Sequence, residues 1–216
     1  MTIEEILTSL DKKNEEIYQN KQNKRPFAEI TANMFRDIFM KTVKTQLSRK
    51  SSTAEFIIDE QNKEVLNQLY YWISKSQKFT GSYEKGILII GNIGTGKTLI
   101  MSAFIDMCNL FTPQRIEKHH ARKLFYKLTE EKEDIYANLP MFIDDLGKEP
   151  LEFVRYGYKQ LPFVEFIDER YNSGSLTFAT SNFKIDGFLK EYYGEAIADR
   201  LKEMFNIFEL KGNSRR

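Results

Sequence analysis

An apolar run that ends in a glycine-rich loop is the feature of this sequence that most constrains its fold. Residues 87–90 read Ile-Leu-Ile-Ile, and residues 91–98 follow as Gly-Asn-Ile-Gly-Thr-Gly-Lys-Thr. This is the spacing of a phosphate-binding loop, whose glycines let successive backbone N–H groups turn towards phosphate oxygens. The pattern predicts a buried strand, a nucleotide site and a helix over Thr98–Leu110, whose positive N-terminal end also faces the phosphates.

The residue types in this loop assign the parts of a nucleotide site. Lys97 is expected to reach the β- and γ-phosphates of ATP, and the Thr98 hydroxyl is expected to hold Mg²⁺. The predicted ATP-binding residues are Gly91, Asn92, Ile93, Gly94, Thr95, Gly96, Lys97, Thr98 and Leu99. A glycine-rich turn that binds no nucleotide is the alternative, but the strand before the loop and the helix after it favour the site.

A second short apolar run, Met141–Ile143, ends in Asp144 and Asp145. A carboxylate at the end of a strand beside the phosphate loop can hold Mg²⁺, and the next one can orient or deprotonate the attacking water. We therefore assign the metal to Asp144 and the water to Asp145. Glu149 is close enough in sequence to assist, and a solvated loop charge is the alternative reading of that residue.

Further apolar runs complete the pattern of short strands separated by helices, which predicts an α/β fold with a parallel five-stranded sheet. Two more strands are predicted at Leu176–Ala179 and Asn206–Leu210, and Phe111–Ile116 is the candidate for the remaining one. Residues 180–182, Thr-Ser-Asn, follow the strand at Leu176–Ala179. Because open parallel sheets bind ligands at the carboxyl ends of their strands, Asn182 is expected to position the water.

The N-terminal part of the chain is predicted to be separate from this α/β domain. We expect a helical region over residues 1–55, which could dock a partner, and an ATPase domain over residues 56–216. Pro26 is predicted in the first turn of a helix that runs to about Leu47. The apolar face of this helix consists of Phe27, Ile30, Met34 and Ile38, and we hypothesise that it docks a partner protein.

Composition excludes several classes of protein. The single cysteine, Cys108, excludes an intramolecular disulfide framework and fits a reducing compartment. No apolar run approaches the roughly 20 residues that cross a membrane, and no secretory signal is visible, so we expect a cytoplasmic protein with no membrane partner. The net charge of +1 is lower than that of a dedicated DNA-binding domain, so any nucleic-acid contact needs a local patch or a groove between subunits.

Taken in order, the motifs resemble the AAA+ ATPases of the DnaC, DnaI and IstB group, which are bacterial helicase loaders and transposition helper ATPases. The resemblance spans about Phe56–Arg216 and implies a P-loop NTPase of AAA+ type, with a three-layer α/β/α architecture and no separate lid domain. The matching segments are Gly91–Thr98, Ile143–Gly147, Ile167–Tyr171, Thr180–Asn182, Asp199–Leu201 and Gly212–Arg216.

The resemblance also implies roles for two arginines. Arg200 matches an arginine finger that reaches the ATP of a neighbouring subunit, which implies self-association; the alternative is a surface ion pair with Glu195 or Glu203. Arg216 matches a sensor arginine that touches nucleotide, and the alternative is a disordered basic terminus.

A basic stretch is a candidate for DNA contact. Related initiators and loaders carry an extra helix in this region that grips single-stranded DNA, and here Lys118, Arg122 and Lys123 occupy it, with aromatic neighbours. A solvated helix face is the alternative.

The function implied is ATP hydrolysis with ATP and Mg²⁺ as cofactors, in a helicase loader of DNA replication. Its implied partners are a replicative helicase, single-stranded DNA and further copies of the chain. A transposition helper that remodels target DNA with a transposase is the near alternative. A small-molecule kinase is a second alternative, but it leaves Asp145, Asn182 and Arg200 unexplained. A module that binds ATP without hydrolysing it is a third.

Overall fold

A five-stranded parallel sheet forms the centre of the molecule. The computed structural model describes residues 25–49, 55–130 and 134–215, so the predictions for residues 1–24 and for Arg216 lie outside the described residues. The strands are β1 (Gly86–Ile90), β2 (Glu117–His120), β3 (Met141–Asp144), β4 (Phe153–Arg155), β5 (Tyr158–Gln160), β6 (Thr177–Ser181) and β7 (Phe205–Glu209). The sheet has the order β2-β3-β6-β1-β7 with every pair parallel, while β4 and β5 form an antiparallel hairpin.

Helices cover both faces of this sheet. They are α1 (Ala32–Ser48), α2 (Lys63–Ile73), α3 (Lys97–Cys108), α4 (Ala121–Glu130), α5 (Asp134–Ala137), α6 (Pro162–Ser173), α7 (Lys190–Tyr193) and α8 (Glu195–Met204), with a π-helical turn at Ile185–Leu189. The described residues after β7, 210–215, contain no helix. None of the helices in the described ranges is long and apolar enough to cross a membrane.

Alternation along β1 divides the core into two layers. Ile87 and Ile89 pack with α1, α2 and α3 on one face, whereas Leu88 and Ile90 pack with α4, α6 and α8 on the other. Successive side chains of a strand point to opposite faces, so a strand buried on both sides is apolar throughout. The expected three-layer α/β/α architecture is confirmed.

Helix α1 begins later than predicted. Pro26 lies ahead of it, and Thr31 caps the helix by accepting a hydrogen bond from the Met34 N–H at 3.2 Å. A threonine hydroxyl satisfies an N–H that the first turn leaves unpaired, which decides the start. The buried face of α1 carries Phe35, Phe39 and Val43 and packs against α3.

The apolar face proposed for docking lies partly in this core. Ile30 is buried and Phe27 is half-buried against the same cluster, while Met34 is exposed. Most of the apolar character of residues 27–38 therefore stabilises the packing of α1 on the sheet layer.

The prediction of a strand at Phe111–Ile116 is wrong. The strand between α3 and β3 is β2, four polar residues at the edge of the sheet that pair with β3 in register from Glu117↔Met141 to His120↔Asp144. None of its four residues is apolar, so no apolar pattern marks the strand, and its backbone hydrogen bonds to β3 define it. Thr180 and Ser181 also differ from expectation, because they lie inside β6 and only Asn182 follows it.

Candidate nucleotide site

The loop after β1 has the backbone conformation that a phosphate site requires. Gly94 and Gly96 have φ of 85° and 99°, a left-handed region in which a side chain would be strained. Gly96 caps α3, so the positive end of that helix opens onto the loop. The Lys97 ammonium donates to the carbonyl oxygens of Gly91 at 2.8 Å and Asn92 at 2.7 Å. Lys97 therefore points into the loop, where phosphate oxygens would lie.

Thr98, Asp144 and Thr180 meet at the carboxyl edge of the sheet. The hydroxyls of Thr98 and Thr180 both donate to Asp144 Oδ1, at 2.8 Å and 2.6 Å. Protein sites for Mg²⁺ use one or two carboxylates, with substrate phosphates and waters completing the octahedron. A carboxylate and a hydroxyl within 2.8 Å of each other, next to the phosphate loop, form a donor set that fits this ion.

Asp145 is held by its neighbours rather than free in solvent. Its φ is 61°, which is unusual for a residue other than glycine, and its N–H donates to Thr180 Oγ1 at 3.1 Å. The carboxylate lies 2.9 Å from Lys148 Nζ and 3.4 Å from His120 Nε2, and the Asn182 amide reaches it at 3.5 Å. The structure therefore brings Asp145 and Asn182 together, as the sequence predicts, and adds two basic groups.

A cavity of about 340 Å³ connects these groups. Among the residues that line it are Ile93, Gly94, Gly96, Lys97, Thr98, Leu99, Asp145, Lys148, Asn182 and Arg215, together with Leu47 and Glu55–Ile57. Gly91 and Asn92 supply the carbonyl groups that hold Lys97, and Thr95 is buried with its hydroxyl on Asn92 O at 2.9 Å. The volume and the polar lining suit a ligand of nucleotide size.

Arg215 is a residue of this cavity that the sequence reasoning missed. Its N–H donates to Gly94 O at 2.9 Å, and its guanidinium donates to Asp59 Oδ1 at 2.8 Å and Gln61 Oε1 at 3.1 Å. The hydrogen bond from Arg215 lowers the pKa of Asp59. The C-terminal segment thus lies across the phosphate loop. In this tail the sequence indicates a nucleotide-sensing role for Arg216 instead, and Arg216 lies outside the described residues.

Arg200 lies on the outer surface of α8, away from the cavity. It forms an ion pair with Asp168 of α6 and lies over the Tyr171 ring, 5.4 Å from its centroid. The two glutamates expected as alternative partners have other contacts: Glu195 pairs with Lys190, and Glu203 accepts from the Tyr171 hydroxyl. Arg200 is not among the described residues that line the cavity.

Glu149 is neither a solvated charge nor a group in the cavity. It is 2% exposed, and its carboxylate accepts from the Gly147 N–H at 3.0 Å and from the Tyr193 hydroxyl. Burial raises the pKa of Glu149 above its usual range. Its role is to fix the loop that leads away from Asp145.

The three basic residues considered for DNA contact lie on two different elements. Lys118 is on strand β2 rather than on a helix, with its ammonium 2.5 Å from Asp106 and 2.9 Å from Ser102 Oγ. Partial burial is the main cause of its lowered pKa. Arg122 and Lys123 are exposed in the first turn of α4, on which Tyr126 is exposed but Phe125 is buried. The stretch does not form one continuous basic helix face.

The structure resembles several solved structures, one of which is a helicase loader. No family model matches the sequence, and no curated protein gives a significant match. The DnaC helicase loader superposes with a TM-score of 0.57 at 19% identity, over 72% of this chain and 93% of DnaC. DnaI superposes with a TM-score of 0.50 at 22% identity, over 76% of this chain and 89% of DnaI. The chain has the fold of DnaC and DnaI. The resemblance that the motifs implied is thus confirmed for the fold.

A replication initiator shares the same fold. DnaA bound to AMPPCP and single-stranded DNA superposes with a TM-score of 0.53 at 18% identity, over 73% of this chain and 49% of DnaA. The matched part of this chain therefore corresponds to about half of that protein, and the same fold occurs both in a helicase loader and in an initiator.

Proposed function

We propose that this chain is an ATP-hydrolysing AAA+ helicase loader of DNA replication. The observation that carries the proposal is the contact between Thr98 and Asp144, which are far apart in sequence yet lie 2.8 Å apart beside the phosphate loop. In the DnaA neighbour, AMPPCP is a bound ATP analogue, which supports ATP as the nucleotide here. The similar DnaC protein is a helicase loader, which supports the role in loading.

Each group in the cavity has a chemical task in this proposal. The loop and Lys97 would bind the phosphates, while Thr98 and Asp144 would hold Mg²⁺, which neutralises charge on the β- and γ-phosphates when bound. Asp145 and Asn182 lie at hydrogen-bonding distance from each other and would orient the attacking water. Lys148, paired with Asp145 at 2.9 Å, adds a cation beside that water.

Arg200 would act on the ATP of a neighbouring copy. It is a third exposed and does not line the cavity of its own chain, so it can reach a γ-phosphate only across an interface. Arginine fingers supplied in trans raise turnover by roughly 10³–10⁵. ATP would thereby favour the assembled state, because its γ-phosphate adds contacts that ADP lacks.

The remaining parts of the proposal concern partners. Lys118, Arg122 and Lys123 would contact DNA. Residues 1–55 would form a helicase-docking region attached to the ATPase domain of residues 56–216. Arg216 would act as a nucleotide sensor. The DnaA neighbour contains single-stranded DNA, which supports that ligand class. A transposition helper would use the same site with a transposase as partner.

Steady-state ATPase assays over a range of protein concentrations test the proposal. We expect turnover per chain to rise with concentration and with single-stranded DNA, and to fall at least a hundredfold in Arg200→Ala, in line with trans fingers. Arg36→Ala, an exposed arginine on α1, is the matched control and should leave turnover unchanged. Turnover per chain that is independent of concentration and unaffected by Arg200→Ala would refute the trans mechanism.

Asp145→Asn separates hydrolysis from nucleotide binding. We expect turnover to fall about a hundredfold or more while affinity for an ATP analogue changes little, because Asp145 acts on the water and not on the phosphates. If the Asp145→Asn variant still loads helicase without hydrolysing ATP, then ATP binding alone is sufficient, and the chain acts as a module that binds ATP without hydrolysing it.

A further inference from the structure

The hairpin formed by β4 and β5 exposes an unusual amount of aromatic surface. Tyr156 is 88% exposed and Tyr158 is 77% exposed, and Val154, on the other face of the hairpin from Tyr158, is 60% exposed. Large apolar side chains that cluster on a surface mark a site of interaction more often than chance. The nucleotide site uses none of these residues.

The geometry of the hairpin presents the two rings together with a cation. Tyr156 and Gly157 form the turn, and their φ values of 50° and 83° are both positive, as in the tight turns that favour hairpins. Arg155 is directly opposite Tyr158 in the register, and its guanidinium lies 5.7 Å from the centroid of the Tyr156 ring. Directly opposed residues share a face of the hairpin, so Arg155 and Tyr158 point the same way.

The base of the hairpin is fixed to the core. Phe153 packs against the layer that contains α4, α6 and α8, and Lys159 pairs with Glu152 at 2.9 Å. The loop before it is anchored by buried Glu149, whose backbone carbonyl also accepts from the Tyr192 hydroxyl at 2.5 Å. Arg155, by contrast, has no carboxylate partner among the residues that the structure describes.

We infer that this hairpin binds single-stranded nucleic acid, with bases stacked on Tyr156 and Tyr158 and a backbone phosphate on Arg155. Aromatic rings combined with basic groups bind single strands regardless of sequence, because every base has a stacking face and every nucleotide has a phosphate. The faces of paired bases are covered inside a duplex, so the rings select single strands. The inference rests on the proposed function and gives its DNA ligand a second contact surface, in addition to Lys118, Arg122 and Lys123.

The hairpin is continuous with the nucleotide site along the chain. Asp145 and Lys148 lie in the cavity, Glu149 is buried immediately after them, and β4 begins at Phe153. The hairpin that would hold a single strand is therefore only a few residues along the chain from the residues that would act on the attacking water.

Fluorescence anisotropy with a labelled oligothymidine strand tests the inference on the full chain. We expect Tyr156→Ala and Tyr158→Ala each to weaken binding between about fivefold and a hundredfold, the range of base–aromatic stacking. The matched variants Tyr156→Phe and Tyr158→Phe retain the rings and should retain the affinity. Tyr158→Leu retains apolar area without a ring and should lose it. A labelled duplex of the same length should bind more weakly than the single strand.

The salt dependence of binding tests the role of Arg155. Each phosphate contact to a single strand contributes about 0.7 to the slope of log affinity against log salt concentration. Arg155→Gln should reduce the slope by about that amount, whereas Tyr156→Phe should leave it unchanged. Binding of an ATP analogue, measured in parallel, checks that every variant is folded.

The outcomes separate the hairpin from the proposed function. If the wild type binds the strand and both alanine variants bind equally well, the inference is overturned while the loader proposal stands. If the wild type hydrolyses ATP but binds no strand, the inference is again overturned. If the wild type binds the strand through the tyrosines but hydrolyses no ATP, the inference holds and the proposed function fails. Loss of protein association in the alanine variants, with unchanged DNA affinity, would assign the hairpin to a protein partner and overturn the inference.

Discussion

Buried Arg170 offers the sharpest test of how the sheet is held in place. It is 1% exposed on α6, and its guanidinium donates to the carbonyl oxygens of Tyr136 at 2.6 Å, Leu139 at 2.9 Å and Leu176 at 3.0 Å. It also donates to Thr177 Oγ1 at 2.9 Å. These acceptors lie before β3 and at the start of β6, the two strands that lead to Asp144 and Asn182. Burial lowers the pKa of Arg170 to about 9, which still leaves it charged at neutral pH.

Replacing Arg170 with methionine keeps most of the apolar stem and removes all of these donors. Each buried acceptor left without a partner costs about 1 kcal/mol or more. Removing a buried charge also relieves its desolvation, and for ion pairs this relief can cancel the loss. Here the partners are neutral groups that stay buried after the substitution. Leu176 O keeps the Met141 N–H as a donor at 3.1 Å, but the carbonyl groups of Tyr136 and Leu139 and the Thr177 hydroxyl oxygen lose theirs, so the losses dominate. We expect a destabilisation of about 3–4 kcal/mol for Arg170→Met, a large part of the stability of a typical domain.

Thermal unfolding measures this effect directly. For a chain of this size, 1 kcal/mol corresponds to about 2–4 °C in Tm, so Arg170→Met should melt roughly 6–16 °C below the wild type. Arg155→Met is the matched control: its side chain is on the exposed hairpin, and its Tm should change by about 2 °C at most. A Tm for Arg170→Met within about 2 °C of the wild type would refute the reasoning, since it would mean that the carbonyl groups find other donors.

Three further substitutions test the site. Asp144→Asn should lower ATP turnover by about a hundredfold or more, because a carboxylate that holds Mg²⁺ contributes several kcal/mol; wild-type turnover would contradict the assignment. Since burial raises the pKa of Glu149 above 4.5, the folded state loses stability as pH rises through the raised pKa, and Glu149→Gln should remove that loss. Plots of Tm against pH that run parallel for the two proteins would rule this out. Gly94→Ala should weaken binding of a fluorescent ATP analogue, because φ is 85° and a Cβ would collide with Ser214. The control Gly157→Ala, with φ of 83° and open space around it, should not.

The strands could be predicted where both of their faces are buried, because burial then requires apolar residues. Strands β1 and β3 are apolar runs because both of their faces are covered, and their ends are marked by glycine and aspartate. Strand β2 carries the residues Glu-Lys-His-His, so the sequence favours the preceding segment Phe111–Ile116, which begins and ends with an apolar residue. The position of β2 depends on a backbone ladder with β3, which no side-chain pattern records.

The candidate site was predictable in its loop and its aspartates, because glycine conformation and magnesium chemistry restrict the residue types. The neighbours of Asp145 were not: Lys148 is only three residues further along the chain but needs the turn to reach back, and His120 lies on an edge strand that only the tertiary fold brings close. Arg215 was missed for the same reason: its partners Asp59 and Gln61 are distant in sequence. The hairpin is local, yet its exposure depends on how its base packs against the core.

The end of β6 acts as a clamp on the loop that carries both aspartates. Thr180 donates its hydroxyl to Asp144 and accepts from the Asp145 N–H, and its carbonyl accepts from the Leu146 N–H at 2.8 Å. Ser181 then donates to Leu146 O at 2.7 Å. Polar groups that leave a strand ladder while buried need new partners, and here two hydroxyl side chains provide them. In the triplet Thr-Ser-Asn, therefore, the first two residues fix the geometry of the aspartates, and Asn182 is left to face the cavity.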